Sequence, residues 1–124
     1  MYNIIKENRV IYNKIFKGSR GSLTEHIFKK EAFDCYGFKD FPLAWHADDL
    51  SWLEFSDFKT IYTINDAVVS IRYSNKSISG KQDNLEKKEA ARFQFFKILV
   101  FKYLKHFTGK QRYFILNEFK YVSI

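Results

Sequence analysis

The sequence predicts a mixed α/β fold in which a few β-strands pack against helices. Two β-rich runs, at 60–64 and 67–74, indicate strands. Helical spacing of apolar residues near the N-terminus and over 84–107 indicates helices on either side of them. So few strands suggest part of an α/β sheet protein, and a chain of 124 residues fits within one domain, 1–124.

The N-terminal elements follow from pattern and from breakers. Apolar residues recur at helical spacing over 3–16, and the glycines and serines of 17–22 end that helix. Weak alternation over 23–29 predicts a short strand. A helix of one or two turns is expected over 30–36, with Gly37 as its left-handed cap.

The middle of the chain contains the most unusual local sequence. Residues 38–46 predict an irregular segment stiffened by Pro42, the only proline. A helix is expected from about Asp48 to Phe55, followed by strands at 60–64 and 67–74 that form a hairpin or lie side by side.

A polar loop and helical patterns make up the rest of the chain. The loop spans 75–84 and leads into the longest predicted helix, 84–107, which Gly109 is expected to end. The last stretch, 112–124, fits either a helix or a strand.

Composition excludes several classes of site. A single cysteine, Cys35, rules out an internal disulfide and a thiolate zinc cluster, and the three histidines show no metal-ligand spacing, so no metal site is predicted. The N-terminal segment is too charged for a signal peptide, and no apolar run reaches the length of a spanning helix. The predicted location is the cytoplasm.

Positive charge is concentrated in the C-terminal third. Up to Gly80 there are 11 basic and 10 acidic residues, whereas from Lys81 onward there are 10 basic and 4 acidic residues. Such a surplus fits nucleic acid, an anionic membrane surface or an acidic protein neighbour, and a solvated lysine face is the plain alternative.

The adjacent acids Asp48 and Asp49 have a structural and a chemical interpretation. Asp48 at a helix start can accept bonds from nearby backbone N–H groups, and Asp49 favours the positive end of the helix dipole. Alternatively, neighbouring carboxylates resist joint ionisation, which suits one of them to act as a general base. Trp45 and Trp52 flank the pair and are either stacking surfaces for a sugar ring or core residues.

Taken together, "YGFKDFPLAWHADDLSWLEF" resembles the acceptor-side segment of GT-A-type family 2 glycosyltransferases, particularly bacterial enzymes that build surface polysaccharides. These enzymes have a glycine-phenylalanine turn, here Gly37-Phe38, a short loop and an acidic pair that opens a helix. The flanking "TEHIFKKEAFDCY" and "IYTINDAVVSIRYSNKSIS" resemble the neighbouring strand and helix and the returning strands. The resemblance covers about 20–90.

The resemblance implies a role for each site residue. Asp49 is the general base of an inverting transfer and Asp48 its supporting acid. Trp45, His46 and Trp52 are the acceptor-binding residues. Arg72 contacts the diphosphate of the donor, or alternatively pairs with Asp66 or Asp57.

Two departures from the family qualify this picture. The turn has Tyr36 before a single glycine, whereas the family often has two glycines, and the chain contains no D-x-D motif. The family's nucleotide-binding half, which holds Mg or Mn with that motif, is therefore expected to be absent. The chain is predicted to be the C-terminal acceptor-binding part, without a cofactor of its own and inactive in isolation.

The partners that follow are a sugar acceptor and, once the missing half is present, a nucleotide-sugar donor. The alternative is a small basic module that binds nucleic acid or protein without catalysis, although no RNA-recognition sheet or basic recognition helix is apparent. Nucleic acid is therefore not the expected partner. An anionic membrane surface is a further predicted partner, because Phe95, Ile98 and Phe101 fall among lysines outside the core-facing arc of 84–107. Contact would then be peripheral, at the inner face of the membrane.

Overall fold

The computed structural model describes residues 2–5, 26–59, 61–64, 66–72, 74–77 and 83–124. These residues are mostly helical. Strand β1 (Tyr2–Ile5) pairs antiparallel with β2 (Ile61–Ile64), with Tyr2 opposite Ile64. The described residues contain no further strand, so the predicted α/β fold with a few strands packed against helices is wrong.

Of the two strands that β-propensity predicts in the middle segment, the described residues form only the first. Strand β2 forms where expected, but it pairs with β1 and not with 67–74. The described residues of 67–74 are irregular and largely exposed, and Val68 is 91% exposed. Branched side chains favour strands only where a neighbouring strand and a packed face support them, and within the described residues this segment has neither.

The N-terminal predictions are wrong at the residues that the structure describes. The helix predicted over 3–16 gives way to β1 at its start, and the remainder lies outside the described residues. Of the strand predicted over 23–29, residues 26–29 are irregular and the others are not described. At residues 3–5, pairing with a distant segment overrides the local helical preference.

The chain divides into two compact units. The first unit comprises residues 1–39 and 48–69, and the second comprises residues 40–47 and 70–124.

The first unit contains the strands and two short helices. Helix α1 (Lys30–Tyr36) confirms the helix predicted there, and it ends at Gly37, whose φ of 63° requires the freedom of glycine. Helix α2 (Ala47–Phe55) lies in this unit from Asp48 onward and confirms the second predicted helix.

An aromatic cluster joins these parts of the first unit. Phe38 contacts Phe28, Phe33 and Phe55 at ring-centroid distances of 5.8, 5.5 and 5.6 Å. The rings of Phe28, Phe33 and Phe38 remain 40–43% exposed.

The second unit is a helical assembly preceded by a short 3₁₀ turn, Pro42–Ala44. Helix α3 (Leu85–Ile98) continues through a π-helical turn (Leu99–Tyr103) and a 3₁₀ turn (Leu104–His106). The long helix predicted over 84–107 is thereby confirmed in extent, although its pitch changes.

Helix α4 (Gly109–Val122) resolves the ambiguity of the last stretch in favour of a helix. Gly109 begins α4 and does not end the preceding helix. Thr108 sets this boundary, because its hydroxyl accepts a bond from the Gln111 N–H while the Gln111 side chain accepts one from the Thr108 N–H. This capping box defines a helix start.

The core of the second unit lies along α3, which packs on α4 and on the 3₁₀ turn at 42–44. Its buried apolar side chains are Phe41, Ala47, Ala91, Phe95, Phe96, Leu99, Tyr103, Phe107 and Ile115. Phe95, expected on the outer face with Ile98 and Phe101, is fully buried. A helical wheel assumes one covered side, whereas α3 is covered on two.

Candidate functional site

The loop before the acidic pair has an uncommon backbone. Leu43, Ala44 and His46 have φ values of 59°, 54° and 66°, in the left-handed region. For residues with a Cβ this conformation costs on the order of 1–2 kcal/mol each. Three such residues within four positions mean that the surrounding structure imposes the loop geometry, as is common at ligand sites.

The acidic pair lies in the first turn of α2. Because the helix begins at Ala47, Asp48 falls one position inside it and does not precede it as a cap. The Asp48 Oδ1 atom accepts a bond of 2.9 Å from the Asp49 backbone N–H. Both side chains are half-buried, and both lie in the first turn of the helix, near the positive end of its dipole.

Trp45 and His46 belong to the second unit. The Lys88 ammonium lies 4.6 Å from the centroid of the Trp45 ring, a cation–π contact that fixes one face of the indole. The His46 ring stacks on Phe95 at 4.9 Å with an interplanar angle of 10°. Both aromatic side chains are half-buried, so part of each remains accessible.

Trp52 is in a different environment. It belongs to the first unit, is only 8% exposed, and stacks on His26 at 4.0 Å with an interplanar angle of 20°. This burial favours the core interpretation of Trp52. Its role in acceptor binding stays a prediction.

Arg72 is exposed in an irregular segment of the second unit. Its predicted contact with a diphosphate stays a prediction, as does the alternative ion pair. The predicted site residues thus fall into two sets: Asp48, Asp49 and Trp52 in the first unit, and Trp45, His46 and Arg72 in the second.

Further polar side chains of the first unit were not singled out from the sequence. Glu54 on α2 is only 1% exposed, and its carboxylate lies 3.6 Å from the Lys39 ammonium. Partial burial raises the pKa of the Tyr36 phenol, and the Asp57 carboxylate adds to the rise. A hydrogen bond to Asp57 raises the pKa of Lys59, whose Nζ lies 2.9 Å from the Asp57 Oδ2 atom.

Sequence reasoning missed three contributors to the site region. Leu43 and Ala44 give no signal of a left-handed backbone, which glycine and asparagine ordinarily mark. Lys88 lies 43 positions after Trp45, and no local pattern connects the two.

The described residues do not fit a divalent metal. They contain no group of three or more His, Cys, Asp or Glu side chains placed to hold an ion. The metal implied by the glycosyltransferase resemblance therefore has no ligand set in this part of the chain, and no step is assigned to it.

In the described part of the chain, no helix has the length and apolar character needed to cross a membrane. Comparison with known proteins found no matching family model, no matching curated protein and no matching solved structure.

Proposed function

We propose that the chain is the acceptor-binding part of an inverting glycosyltransferase. The whole enzyme would transfer a sugar from a nucleotide-sugar donor to a saccharide or lipid-linked acceptor in bacterial surface polysaccharide biosynthesis. The proposal concerns the function and not the α/β fold of the family, which the helical architecture overturns for the described residues.

The left-handed backbone immediately before the acidic pair is the observation that carries the proposal. A chain that needs only to start a helix has no reason to hold Leu43, Ala44 and His46 in costly conformations. The order of turn, loop and acidic pair supports the same view: Gly37 at positive φ, the 3₁₀ turn after Phe41, and the acids opening α2.

In the proposed reaction Asp49 is the base. Its carboxylate takes the proton of an acceptor hydroxyl as that oxygen attacks the anomeric carbon of the donor. The new glycosidic C–O bond forms on one face while the bond to the diphosphate breaks on the other, and its electron pair leaves with the diphosphate. One displacement inverts the configuration and needs a single base.

Asp48 acts as the supporting acid. Its bond from the Asp49 N–H orders the first turn of α2, which orients the neighbouring carboxylate. The remaining assignments are separate proposals, each testable by its own variant: Trp45, His46 and Trp52 in acceptor binding, and Arg72 in diphosphate binding.

Asp49→Asn provides the central test, in a protein that also contains a nucleotide-binding half. Loss of a general base lowers turnover by about a hundredfold to ten-thousandfold, so kcat should fall by that factor while donor affinity is unchanged. Asp34→Asn is the control, because Asp34 is an exposed acid in the second turn of α1, outside the candidate site. Full activity of Asp49→Asn and of Asp48→Asn would reduce the pair to a helix-starting role.

The isolated 124-residue chain tests whether donor binding belongs to the other half of the enzyme. It should transfer and hydrolyse no nucleotide sugar, because donor binding is assigned to the other half. The proposal would be contradicted if this chain alone released sugar from a nucleotide-sugar donor, measured as free nucleoside diphosphate.

A further inference from the structure

Helix α4 presents an exposed face that combines aromatic, aliphatic and basic side chains. The exposed positions recur at helical spacing, and we call them the outer face of α4: Lys110, Tyr113, Leu116, Asn117, Lys120 and Tyr121. Tyr113 and Tyr121 are 71% and 76% exposed, and Leu116 is 43% exposed. Spacings of three and four residues put these side chains on one side of the helix, over a length of about 16 Å.

This face carries positive charge without a competing acid. Residues 97–124 contain six basic residues and one acid, Glu118. Glu118 does not belong to the outer face, and it forms an ion pair with Arg92 of α3. The charge that Lys110 and Lys120 present therefore meets no carboxylate from α4 itself.

Phe101 is a further exposed aromatic residue, next to a different side of α4 from the outer face. It lies in the π-helical turn, is 74% exposed, and meets Phe119 of α4 edge-on at a centroid distance of 5.8 Å. Lys102 and Lys105 follow it in sequence and are exposed as well. Exposed aromatic side chains near lysines thus occur both on α4 and on the π-helical turn before it.

We propose that the outer face of α4 docks on an anionic lipid bilayer. Tyrosine has an apolar ring and a polar hydroxyl, a combination that suits the boundary between headgroups and acyl chains. Lysines at the border of an apolar face extend their ammonium groups toward anionic headgroups while their stems cover apolar surface. A helix with this composition lies in the plane of the interface.

The geometry favours a lipid surface over nucleic acid. Single-stranded nucleic acid is bound along grooves or sheets on which bases stack in succession. The outer face of α4 is a convex stripe along a single helix, and Leu116 at its edge offers a base neither a ring nor a hydrogen bond. A fluid surface accommodates such a stripe without a shaped partner.

Vesicle flotation of the 124-residue chain tests the proposal. The chain should float with vesicles of phosphatidylcholine and phosphatidylserine, float little with phosphatidylcholine alone, and be released as salt rises. Lys110→Glu with Lys120→Glu should weaken binding about thirtyfold or more, since each lysine near the surface is worth about fivefold. Tyr113→Ser with Tyr121→Ser should weaken it about tenfold through lost apolar burial.

Matched controls change the same charge and apolar area elsewhere. Lys29→Glu with Lys76→Glu alters two exposed lysines, and Val68→Ser with Ile71→Ser alters two exposed apolar residues. Both controls should float like the unaltered chain. Circular dichroism of every variant should retain the helical signal, because all the altered side chains are exposed.

Several outcomes would overturn the proposal. The first is that the chain does not float with anionic vesicles. The second is that both α4 variants float as well as the unaltered chain. The third is that the control variants lose as much vesicle binding as the α4 variants. Sedimentation equilibrium can reveal a further outcome that would overturn it. If the chain dimerises through α4, with the dimer lost in the α4 variants and no vesicle binding, a second copy is the occupant. The same holds for nucleic acid. If the chain binds RNA in a nuclease-sensitive way, the α4 variants abolish this binding and no vesicle binding is seen, nucleic acid is the partner of the outer face and lipid is not.

Discussion

The two units bury phenylalanine very differently. In the second unit, Phe95 and Phe96 of α3 are 0% and 1% exposed. In the first unit, Phe28 and Phe33 both contact Phe38, and yet all three residues remain 40–43% exposed.

Element length and coverage explain the contrast. Helix α3 has 14 residues, continues through two further helical turns, and is covered on two sides. Helix α1 has 7 residues and buries none of them. Helix α1 offers too little surface to enclose the rings that pack against it, so Phe28, Phe33 and Phe38 form a partly exposed cluster.

Truncation of one ring in each unit should show the largest difference. Phe95→Ala removes a fully buried ring that stacks on His46, and we expect a loss of about 3–5 kcal/mol in the free energy of unfolding. Phe33→Ala removes a ring that is 41% exposed, and we expect a loss of about 1 kcal/mol. Urea denaturation measures both. Equal losses would mean that the aromatic cluster is as important to stability as the α3 core.

The helix caps differ between the units as well. Thr108 forms a full capping box at α4, whereas the N-cap of α1, Lys29, makes no side-chain cap bond. Thr108→Ala should lower the free energy of unfolding by about 1 kcal/mol. Lys29→Ser should raise it by about half that amount or more, because the backbone of Lys29 is already extended as a cap requires. Destabilisation by Lys29→Ser in thermal or urea melts would show that α1 does not start as described.

Ion pairs offer a finer comparison. Arg92–Glu118 links α3 to α4, with side chains 37% and 24% exposed, and Lys30–Asp34 lies on α1 with side chains 82% and 53% exposed. Double-mutant cycles should give a coupling of about 1 kcal/mol for the first pair and about 0.3–0.5 kcal/mol for the second. Added salt should weaken the second pair more, because its charges are better solvated. A larger coupling energy for Lys30–Asp34 than for Arg92–Glu118 would contradict the expected link between burial and coupling energy.

The smallest expected effect is a pH dependence of the first unit. Tyr36 and Lys59 both have folded-state pKa values above their ordinary values. Their stabilisation is therefore complete below about pH 10 and is lost as pH rises through the folded-state values. Asp57→Asn should lower both pKa values, which NMR titration of the Tyr36 ring and the Lys59 side chain would measure. Unchanged titration curves would exclude Asp57 as the shared cause.

Local patterns predicted the helices between residues 30 and 106 well because their stabilising contacts are close in sequence. Helix α1 with its Gly37 end, helix α2 and the helical run from Leu85 to His106 all follow from spacing and from breakers. Gly109 was misread because a glycine marks a helix end only when the next residues do not restart one. The capping box at Thr108 restarts it.

The strands were predicted poorly because their partners are distant. Strand β2 pairs with β1, nearly 60 positions earlier, a choice that no local window contains. The branched residues of 67–74 have the same propensity as those of β2, yet their described positions form no strand. Pairing, and not propensity, separates the two runs.

For the candidate site, the sequence by itself determined the chemical groups: adjacent carboxylates at the start of a helix, next to aromatic residues and a proline. Only the tertiary structure decided how these groups are presented. It holds Leu43, Ala44 and His46 in left-handed conformations, buries Trp52 against His26, and turns Phe95 inward onto His46. The physical reason is that chemical identity and short-range helical spacing are local properties, whereas burial and backbone strain depend on which distant surfaces cover a residue.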